Sequence, residues 1–184
     1  MICGIDEAGR GPLAGPVAAA AVILPPDFPI SVLDDSKRLS AARRETAAEL
    51  IRRRALAWGL GWASHEEIDS INILQASLLA MRRAYFSLEV KADEALVDGL
   101  FCPAIDISCR ALVRGDSLVP EIMAASILAK TARDAWMTAY DELDPRWQFA
   151  RHKGYPTLLH RRLLERYGPS PIHRRTFAFH SRSA

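Results

Sequence analysis

The apolar residues of this chain fall into short runs that indicate strands and longer periodic stretches that indicate helices. Residues 17–24 form a continuous apolar run that ends at Pro25 and Pro26, which is typical of a buried strand. Trp58 and Trp62 lie on one face of another candidate strand, because side chains alternate between the two faces of a strand. The predicted strands cover residues 2–6, 17–24, 56–63, 94–98 and 111–114.

Helical periodicity separates most of these strands. Leu74, Leu78 and Met81 recur at steps of four and three, which predicts an amphipathic helix. A later helix has a face of small residues, including Ala125 and Ala129, which favours close packing on another element. The predicted helices cover residues 40–55, with Ser40 as the N-cap, 72–86, 119–143 and 156–167. Because strands are separated by helices, the sequence predicts an α/β fold in a single domain of residues 1–184.

Composition adds that the chain is an ordinary folded protein. Its 184 residues are 49% hydrophobic and 25% charged, which suits one buried core and excludes wholesale disorder. The longest apolar run is too short to span a membrane, and the N-terminus lacks a secretory pattern. We therefore expect a cytoplasmic protein without membrane association. Three cysteines, an odd and small number, favour reduced thiols over a disulfide framework.

The formal charge of +2 is the sum of an acidic body and a basic C-terminal segment. Residues 145–184 carry a formal charge of +8, so residues 1–144 carry −6. A basic segment is typical of proteins that bind a polyanionic partner, although charge also fluctuates along any chain. No pair of cysteines or histidines has the spacing of zinc ligands, so we expect hydrogen-bonded or phosphate-facing roles for His152 and His173.

Acidic residues lie where predicted strands end. An α/β sheet commonly builds its site there, and clustered carboxylates need a cation. Oxygen-only ligation favours Mg²⁺ or Mn²⁺ over zinc, and two such ions suit phosphodiester hydrolysis. Each acid taken singly also suits a helix cap or a turn. Adjacent residues on a regular strand face opposite sides, so two neighbours share a site only if the strand breaks or one acts indirectly. The four acids are Asp6, Glu7, Asp98 and Asp116.

Seven blocks of the sequence, in order along the chain, together resemble one protein family. The first block, GIDEAGRGPLAGPV, spans residues 4–17. The others are DSKRLS at 35–40, VDG at 97–99, GDS at 115–117, AASILAK at 124–130, HKGYPT at 152–157 and HRRTF at 173–177. The chain resembles ribonuclease HII, the type 2 ribonuclease H of bacteria, over nearly its whole length.

The resemblance implies a fold and an activity. The fold would be ribonuclease H-like, with a mixed five-stranded sheet flanked by helices and a helical C-terminal part. The activity would be metal-dependent hydrolysis of the RNA strand of RNA–DNA hybrids and cutting 5′ of single ribonucleotides in duplex DNA, leaving 3′-hydroxyl and 5′-phosphate ends. That activity would serve ribonucleotide removal in replication and repair. The residues implied as catalytic and as ligands of two Mn²⁺ or Mg²⁺ ions are Asp6, Glu7, Asp98 and Asp116.

The resemblance also implies the substrate contacts. The Gly9-Arg10-Gly11 loop matches the segment that senses the ribose 2′-hydroxyl, largely through backbone groups, and Tyr155 matches the tyrosine that packs on the next sugar. From the residues alone, a phosphate-binding loop and a packed loop tyrosine remain alternatives. The remaining implied contacts are Lys37, Ser126, Lys130, Lys153, Arg174 and Arg175, with residues 145–184 gripping the duplex. Asp134, four residues after Lys130, suits an intrahelical ion pair.

Two other functions stay open. A ribonuclease HIII-like enzyme usually carries an extra N-terminal domain and a glutamate as its fourth acid, whereas here the first block begins at Gly4 and the fourth acid is Asp116. In a non-catalytic module that binds RNA–DNA hybrids, the clustered acids would destabilise the fold by mutual repulsion and would serve no function. In either case we expect a monomer whose partner is nucleic acid.

Overall fold

The computed structural model describes residues 1–33 and 39–178, and a five-stranded sheet lies at its centre. Its strands are β1 (Ile2–Ala8), β2 (Val17–Ile23), β3 (Ala57–Ala63), β4 (Glu94–Asp98) and β5 (Ser108–Leu112). Their order across the sheet is β3-β2-β1-β4-β5. β1 pairs with β2, and β2 with β3, in antiparallel fashion, whereas β1 with β4 and β4 with β5 are parallel. The predicted mixed sheet is confirmed.

Helices cover both faces of this sheet. They are α1 (Ala41–Arg54), α2 (His65–Phe86), α3 (Pro120–Leu143), α4 (Phe149–His152) and α5 (Leu158–Tyr167). α2 packs on the face that contains Cys3 and Ile5, whereas α1 and α3 pack on the face that contains Ala20 and Val22. Gly4 faces α3, since a Cβ on Gly4 would overlap the α3 backbone. Within the described ranges, no helix is both long and apolar enough to cross a bilayer.

The starts of two elements differ most from the prediction, and β1 also continues to Ala8, two residues past its predicted end. β5 begins at Ser108, three residues before the predicted start, because its register is fixed by pairing with β4. α2 begins at His65, where Ser64 and Glu67 form a capping box, and is kinked at Asn72, whose φ is 70°. The Asn72 side chain accepts the N–H of Gln75 at 3.0 Å and caps the second segment. The predicted start at residue 72 is therefore this internal cap.

A third, smaller core joins the C-terminal part to the loop between β1 and β2. Backbone hydrogen bonds connect the two: Leu13 N–H donates to Gly154 O at 2.8 Å, and Gly15 N–H donates to Ile172 O at 2.9 Å. The loop over residues 9–16 is thus held between the sheet and the last helices. The buried members of this core are Leu13, Ala14, Met137, Trp147, Phe149, Leu163, Leu164 and Ile172.

The cysteines depart from the expectation of reduced thiols. Cys102 and Cys109 are joined in a disulfide, with Cα atoms 6.1 Å apart, because the loop after β4 returns to the sheet at β5. Spacing along the chain did not reveal this pair, since the approach depends on where β5 begins. Cys3 is a free thiol in the core, and burial raises its pKa to about 12.

Candidate active site

Carboxylates at the ends of two neighbouring parallel strands form the centre of the candidate site. Ile5 of β1 pairs with Val97 of β4, so the residues that follow, Asp6 and Asp98, lie side by side. Asp116 joins them from the turn Gly115–Ser117, where its N–H donates to Asp98 Oδ1 at 3.4 Å. One carboxylate oxygen from each of these three aspartates lies within 4.8 Å of the others. The structure thus brings together three of the four predicted acids.

Glu7 lies beside this group but is not part of it. β1 continues to Ala8 without a break, and neighbouring side chains of a strand start on opposite faces, so Glu7 does not join the three clustered oxygens, although its side chain still interacts with that of Asp6. Glu7 still lines the cavity over the aspartates, with its Oε1 3.4 Å from Arg10 Nη1. Its Oε2 is buried and has no hydrogen-bond partner among the residues that the structure describes. A buried carboxylate oxygen in that state is costly until a cation or water satisfies it.

Burial and like charge raise the pKa of both acids at the end of β1. Asp6 is only 4% exposed, so desolvation first and the charge of Glu7 second hold its pKa well above the usual range. A hydrogen bond from Ser126 to Asp6 acts in the opposite direction. Desolvation also raises the pKa of Glu7, against the attraction of Arg10. Both carboxyls therefore resist ionisation unless positive charge enters the site.

The donor set fits a hard divalent cation. The three clustered ligand atoms are all carboxylate oxygens, which Mg²⁺ and Mn²⁺ prefer to nitrogen or sulfur. The unpaired Oε2 of Glu7 and the raised pKa of Asp6 both indicate negative charge that is incompletely compensated within the described part of the chain. The residues present are therefore suited to hold Mg²⁺ or Mn²⁺.

A cavity of about 240 Å³ opens over the carboxylates. Tyr155 is 37% exposed at its rim, and the Lys130 ammonium lies 5.3 Å from the centre of the tyrosine ring. Lys130 also donates to Asp134 Oδ1 at 2.8 Å, which confirms the predicted ion pair along α3. Six of the ten predicted substrate contacts line this cavity, namely Gly9, Arg10, Gly11, Ser126, Lys130 and Tyr155.

The other four predicted contacts do not line this cavity. Lys37 falls outside the described residues. The Lys153 ammonium donates to Thr138 Oγ1, in a separate cleft, and burial lowers its pKa. Arg175 is exposed, but Arg174 is fully buried and its guanidinium donates to backbone carbonyls. The structure therefore replaces the predicted duplex contact of Arg174 with a role inside the protein, since a phosphate contact requires the surface.

Sequence reasoning missed Arg133, a second buried arginine. Its guanidinium donates to the carbonyls of Pro16 at 2.9 Å and Ala14 at 3.0 Å. Burial lowers its pKa to about 10, so it remains charged at neutral pH. A signal was present, because Arg133 follows Ala125 and Ala129 at steps of four and so shares the small, buried face of α3.

Three histidines form a buried network behind Tyr155. His160 Nε2 lies 2.9 Å from His173 Nε2, and the His152 and His160 rings stack with centroids 4.2 Å apart. Desolvation lowers the pKa of His160 to about 4 and that of His173 to about 3. Of the two roles expected for His152 and His173, the structure shows the hydrogen-bonded one, and with His160 they join α4, α5 and the C-terminal segment.

Known proteins resemble this chain in sequence and in fold. A family model described as Ribonuclease HII matches residues 3–180. The ribonuclease HII of Dechloromonas aromatica is 59% identical over 177 residues, which cover 96% of this chain and 90% of that protein. The structure of the PCNA:RNase HII complex from Archaeoglobus fulgidus matches with a TM-score of 0.78 and 25% identity, over 95% of this chain and 92% of that one. Bst-RNase HIII in complex with Mn²⁺ shares the fold, with a TM-score of 0.74 and 16% identity, over 97% of this chain and 67% of that one.

Proposed function

Since this chain belongs to the ribonuclease HII family and is an endoribonuclease, we propose that it cuts on the 5′ side of single ribonucleotides in duplex DNA and hydrolyses the RNA strand of RNA–DNA hybrids. The products carry 3′-hydroxyl and 5′-phosphate ends. One observation supports this most directly: the three aspartates open into the same cavity as a glycine loop and an aromatic platform. The protein acts as a cytoplasmic monomer in ribonucleotide removal during replication and repair.

The acidic group would hold the divalent ions of the reaction. Asp6, Asp98 and Asp116 supply the ligand oxygens, and Glu7 assists from the edge of the cavity. Two such ions, when bound, supply activation of a water molecule and stabilisation of charge on the leaving oxygen. The structure of Bst-RNase HIII, which shares the fold, is a complex with Mn²⁺, which agrees with a divalent ion but does not identify its ligands here. Asp6 must lose its proton to become a ligand, so ion binding strengthens as pH rises.

The loop and the aromatic ring would read the sugar. Only the 2′-oxygen distinguishes a ribonucleotide from a deoxyribonucleotide in the backbone, and backbone groups of Gly9-Arg10-Gly11, which line the cavity, would contact it. Gly9 has a φ of 101°, which glycine adopts without strain. Tyr155 offers a partly exposed ring on which the adjacent sugar packs, with Lys130 beside it to pair with phosphate.

The basic segment 145–184 would grip the duplex backbone through its surface cations. Arg175 is exposed, and its backbone N–H donates to Asp69 at 2.8 Å, which holds the segment against α2. Arg162 and Arg166 are also exposed, on α5. Phosphate contacts of this kind raise affinity without reading sequence.

A cleavage assay with paired substrates tests the proposal. The protein is incubated with duplex DNA that holds one ribonucleotide and with the all-DNA duplex, in Mg²⁺, in Mn²⁺ and in EDTA. We expect one cut 5′ of the ribonucleotide, only with metal, and a loss of at least about a hundredfold in Asp98→Asn. The matched control is Asp27→Asn, because Asp27 is an exposed aspartate paired with Arg54 and should retain full activity.

The same assay defines the contrary results. Equal cutting of the all-DNA duplex would exclude recognition of the 2′-hydroxyl. Full activity in EDTA or in Asp98→Asn would exclude the metal mechanism. Binding of the ribonucleotide duplex without any cutting would indicate a hybrid-binding module instead of an enzyme.

A further inference from the structure

Two fully buried arginines, Arg133 and Arg174, hold the loop after β1 by its carbonyl oxygens, and we call them the arginine clamp. They approach from α3 and from the C-terminal segment, and together they engage both ends of the loop. Arg174 donates to the carbonyls of Gly9 at 2.6 Å, Arg10 at 3.0 Å, Gly15 at 3.0 Å and Pro16 at 3.3 Å. Arg133 donates to the carbonyls of Ala14 at 3.0 Å, Pro16 at 2.9 Å and Lys153 at 2.9 Å.

Burying two charged guanidiniums costs free energy, which points to a role for the clamp beyond filling space. Burying a cation costs free energy unless dipoles or counter-charges replace its water. Desolvation and mutual repulsion with Arg133 lower the pKa of Arg174 to about 9, so both guanidiniums stay charged at neutral pH. Backbone carbonyls supply the compensation, and the planar fork of arginine fixes their directions more firmly than a single ammonium would.

Fixing a carbonyl also fixes the next amide in the chain. In a planar trans peptide, the carbonyl of one residue and the N–H of the following residue point in opposite directions. Arg174 draws the Gly9 and Arg10 carbonyls inward, so the N–H groups of Arg10 and Gly11 point away from the clamp. Gly9, Arg10 and Gly11 line the cavity over the carboxylates, where a substrate sugar would lie.

The fit between loop and clamp is close. Gly9 has a φ of 101°, and a Cβ at this position would overlap the Arg133 guanidinium. A Cβ at Gly15, whose φ is 83°, would overlap the Met137 thioether. The loop therefore has little freedom to rotate its peptide planes while the clamp is in place.

We propose that Arg174 is a positioning residue that aims the Arg10 and Gly11 N–H groups at the ribose, while Arg133 holds the far end of the same loop, and that the clamp so sets the preference for a ribonucleotide over a deoxyribonucleotide. This inference rests on the proposed function, which supplies the substrate. Neither arginine touches the nucleic acid. Loss of the clamp should weaken the contacts to the ribose, while phosphate contacts, which are common to both duplexes, keep their strength.

A kinetic comparison in Mg²⁺ tests the clamp. For each variant we would measure the KM for the single-ribonucleotide duplex and the Ki of the all-DNA duplex as a competitor. In Arg174→Lys one ammonium replaces the fork and cannot hold four carbonyls, so the ratio of Ki to KM should fall roughly threefold to tenfold for each misaligned donor. A merely structural defect lowers the active fraction, and hence the apparent kcat, without moving this ratio.

The matched control is Arg83→Lys. Arg83 also donates to a backbone carbonyl, that of Trp62 at 2.6 Å, and pairs with Glu67, but it lies on α2 across the sheet. Its ratio of Ki to KM should equal that of the wild type. Thermal unfolding of each variant sets an assay temperature at which it is folded. If Arg174→Lys is unfolded throughout, Arg133→Lys replaces it, because it releases the other end of the same loop at Ala14 and Pro16 and should lower the ratio in the same direction.

The outcomes separate the inference from the function on which it rests. A reduced ratio in a clamp variant, with an unchanged ratio in Arg83→Lys, supports the clamp. An unchanged ratio in a folded clamp variant overturns it, while wild-type cutting leaves the proposed function intact. If the wild type itself fails to cut the ribonucleotide duplex, the proposed function is wrong and the clamp inference fails with it.

Discussion

Replacing Asp6 by asparagine should make the metal-free protein more stable, although the residue belongs to the active site. The carboxyl is almost fully buried beside two other aspartates, and both burial and charge raise its pKa. Asparagine has nearly the same shape and keeps an oxygen that can accept the Glu7 N–H, which now donates to Asp6 Oδ1 at 2.7 Å. The substitution therefore removes a charge and little else.

The distances set the size of the effect. Two ionised carboxylate oxygens within 4.8 Å repel by about 3.5 kcal/mol or more at an effective dielectric constant of about 20. Asp6 can escape this repulsion by keeping its proton, which at pH 7 costs at most about 4.4 kcal/mol relative to an ordinary pKa of 3.8. We therefore expect Asp6→Asn to raise the free energy of unfolding by about 1–4 kcal/mol at pH 7.

The sign of the pH dependence gives the sharper test. A carboxyl with a raised pKa in the folded state binds protons that the unfolded state has lost, so its destabilising effect grows as pH rises above about 4. Urea denaturation in EDTA should show the advantage of Asp6→Asn shrinking between pH 7 and pH 4. Asp27→Asn, at an exposed aspartate, should show no such gain. Equal or lower stability of Asp6→Asn at pH 7, or a gain independent of pH, would refute the reasoning.

Other predictions concern Tyr155, the buried histidines and the basic segment. Tyr155→Ala should lose about 1–3 kcal/mol of affinity for the ribonucleotide duplex, whereas Tyr155→Phe should lose little; equal losses by fluorescence anisotropy would contradict the stacking role. With the pKa of His160 near 4 and that of His173 near 3, unfolding takes up protons below about pH 6.5. Stability should therefore fall toward pH 4, and less steeply in His160→Gln; an unchanged slope in urea titrations would count against this. Arg175→Ala should flatten the salt dependence of duplex binding by about one phosphate contact. Arg174→Gln, which removes the charge, should leave the slope unchanged in the folded protein, and a flattened slope there would indicate that Arg174 reaches the surface.

Local patterns in the sequence predicted most of the fold, and the misses were set by distant contacts. The apolar run 17–24 and the periodic helix 119–143 correspond to β2 and α3 within one residue at each end. The predicted position of β5 was wrong because its polar edge sequence carries no clear alternation of apolar residues, and its register is set by pairing with β4. The disulfide of Cys102 and Cys109 depends on the same pairing.

The candidate site was predictable where it depended on strand ends and not where it depended on burial. Asp98 ends β4, and Asp6 lies in β1 just after its parallel pairing with β4 stops, so reasoning from topology brought them together. In the sequence, nothing distinguishes Arg174 from the other arginines of the basic segment. Only the fold shows that its partners are carbonyls about 165 residues earlier in the chain, at Gly9 and Arg10.

Burial gives the two kinds of charge opposite consequences at this site. Arg174 is satisfied from within, because backbone carbonyls surround its guanidinium, and the result is a loop whose peptide planes are fixed. Among the residues that the structure describes, Asp6 receives a hydroxyl and one N–H, beside like charges that disfavour its ionised form, so further compensation must come from a cation bound from solution. The acidic body and the basic segment thus meet at one cavity. Arg174, whose charge is compensated within the protein, holds the loop, whereas the incompletely compensated carboxylates around Asp6 attract metal. If this division is correct, chelation should loosen the carboxylate group and leave the loop unchanged, because no part of the clamp depends on the ion.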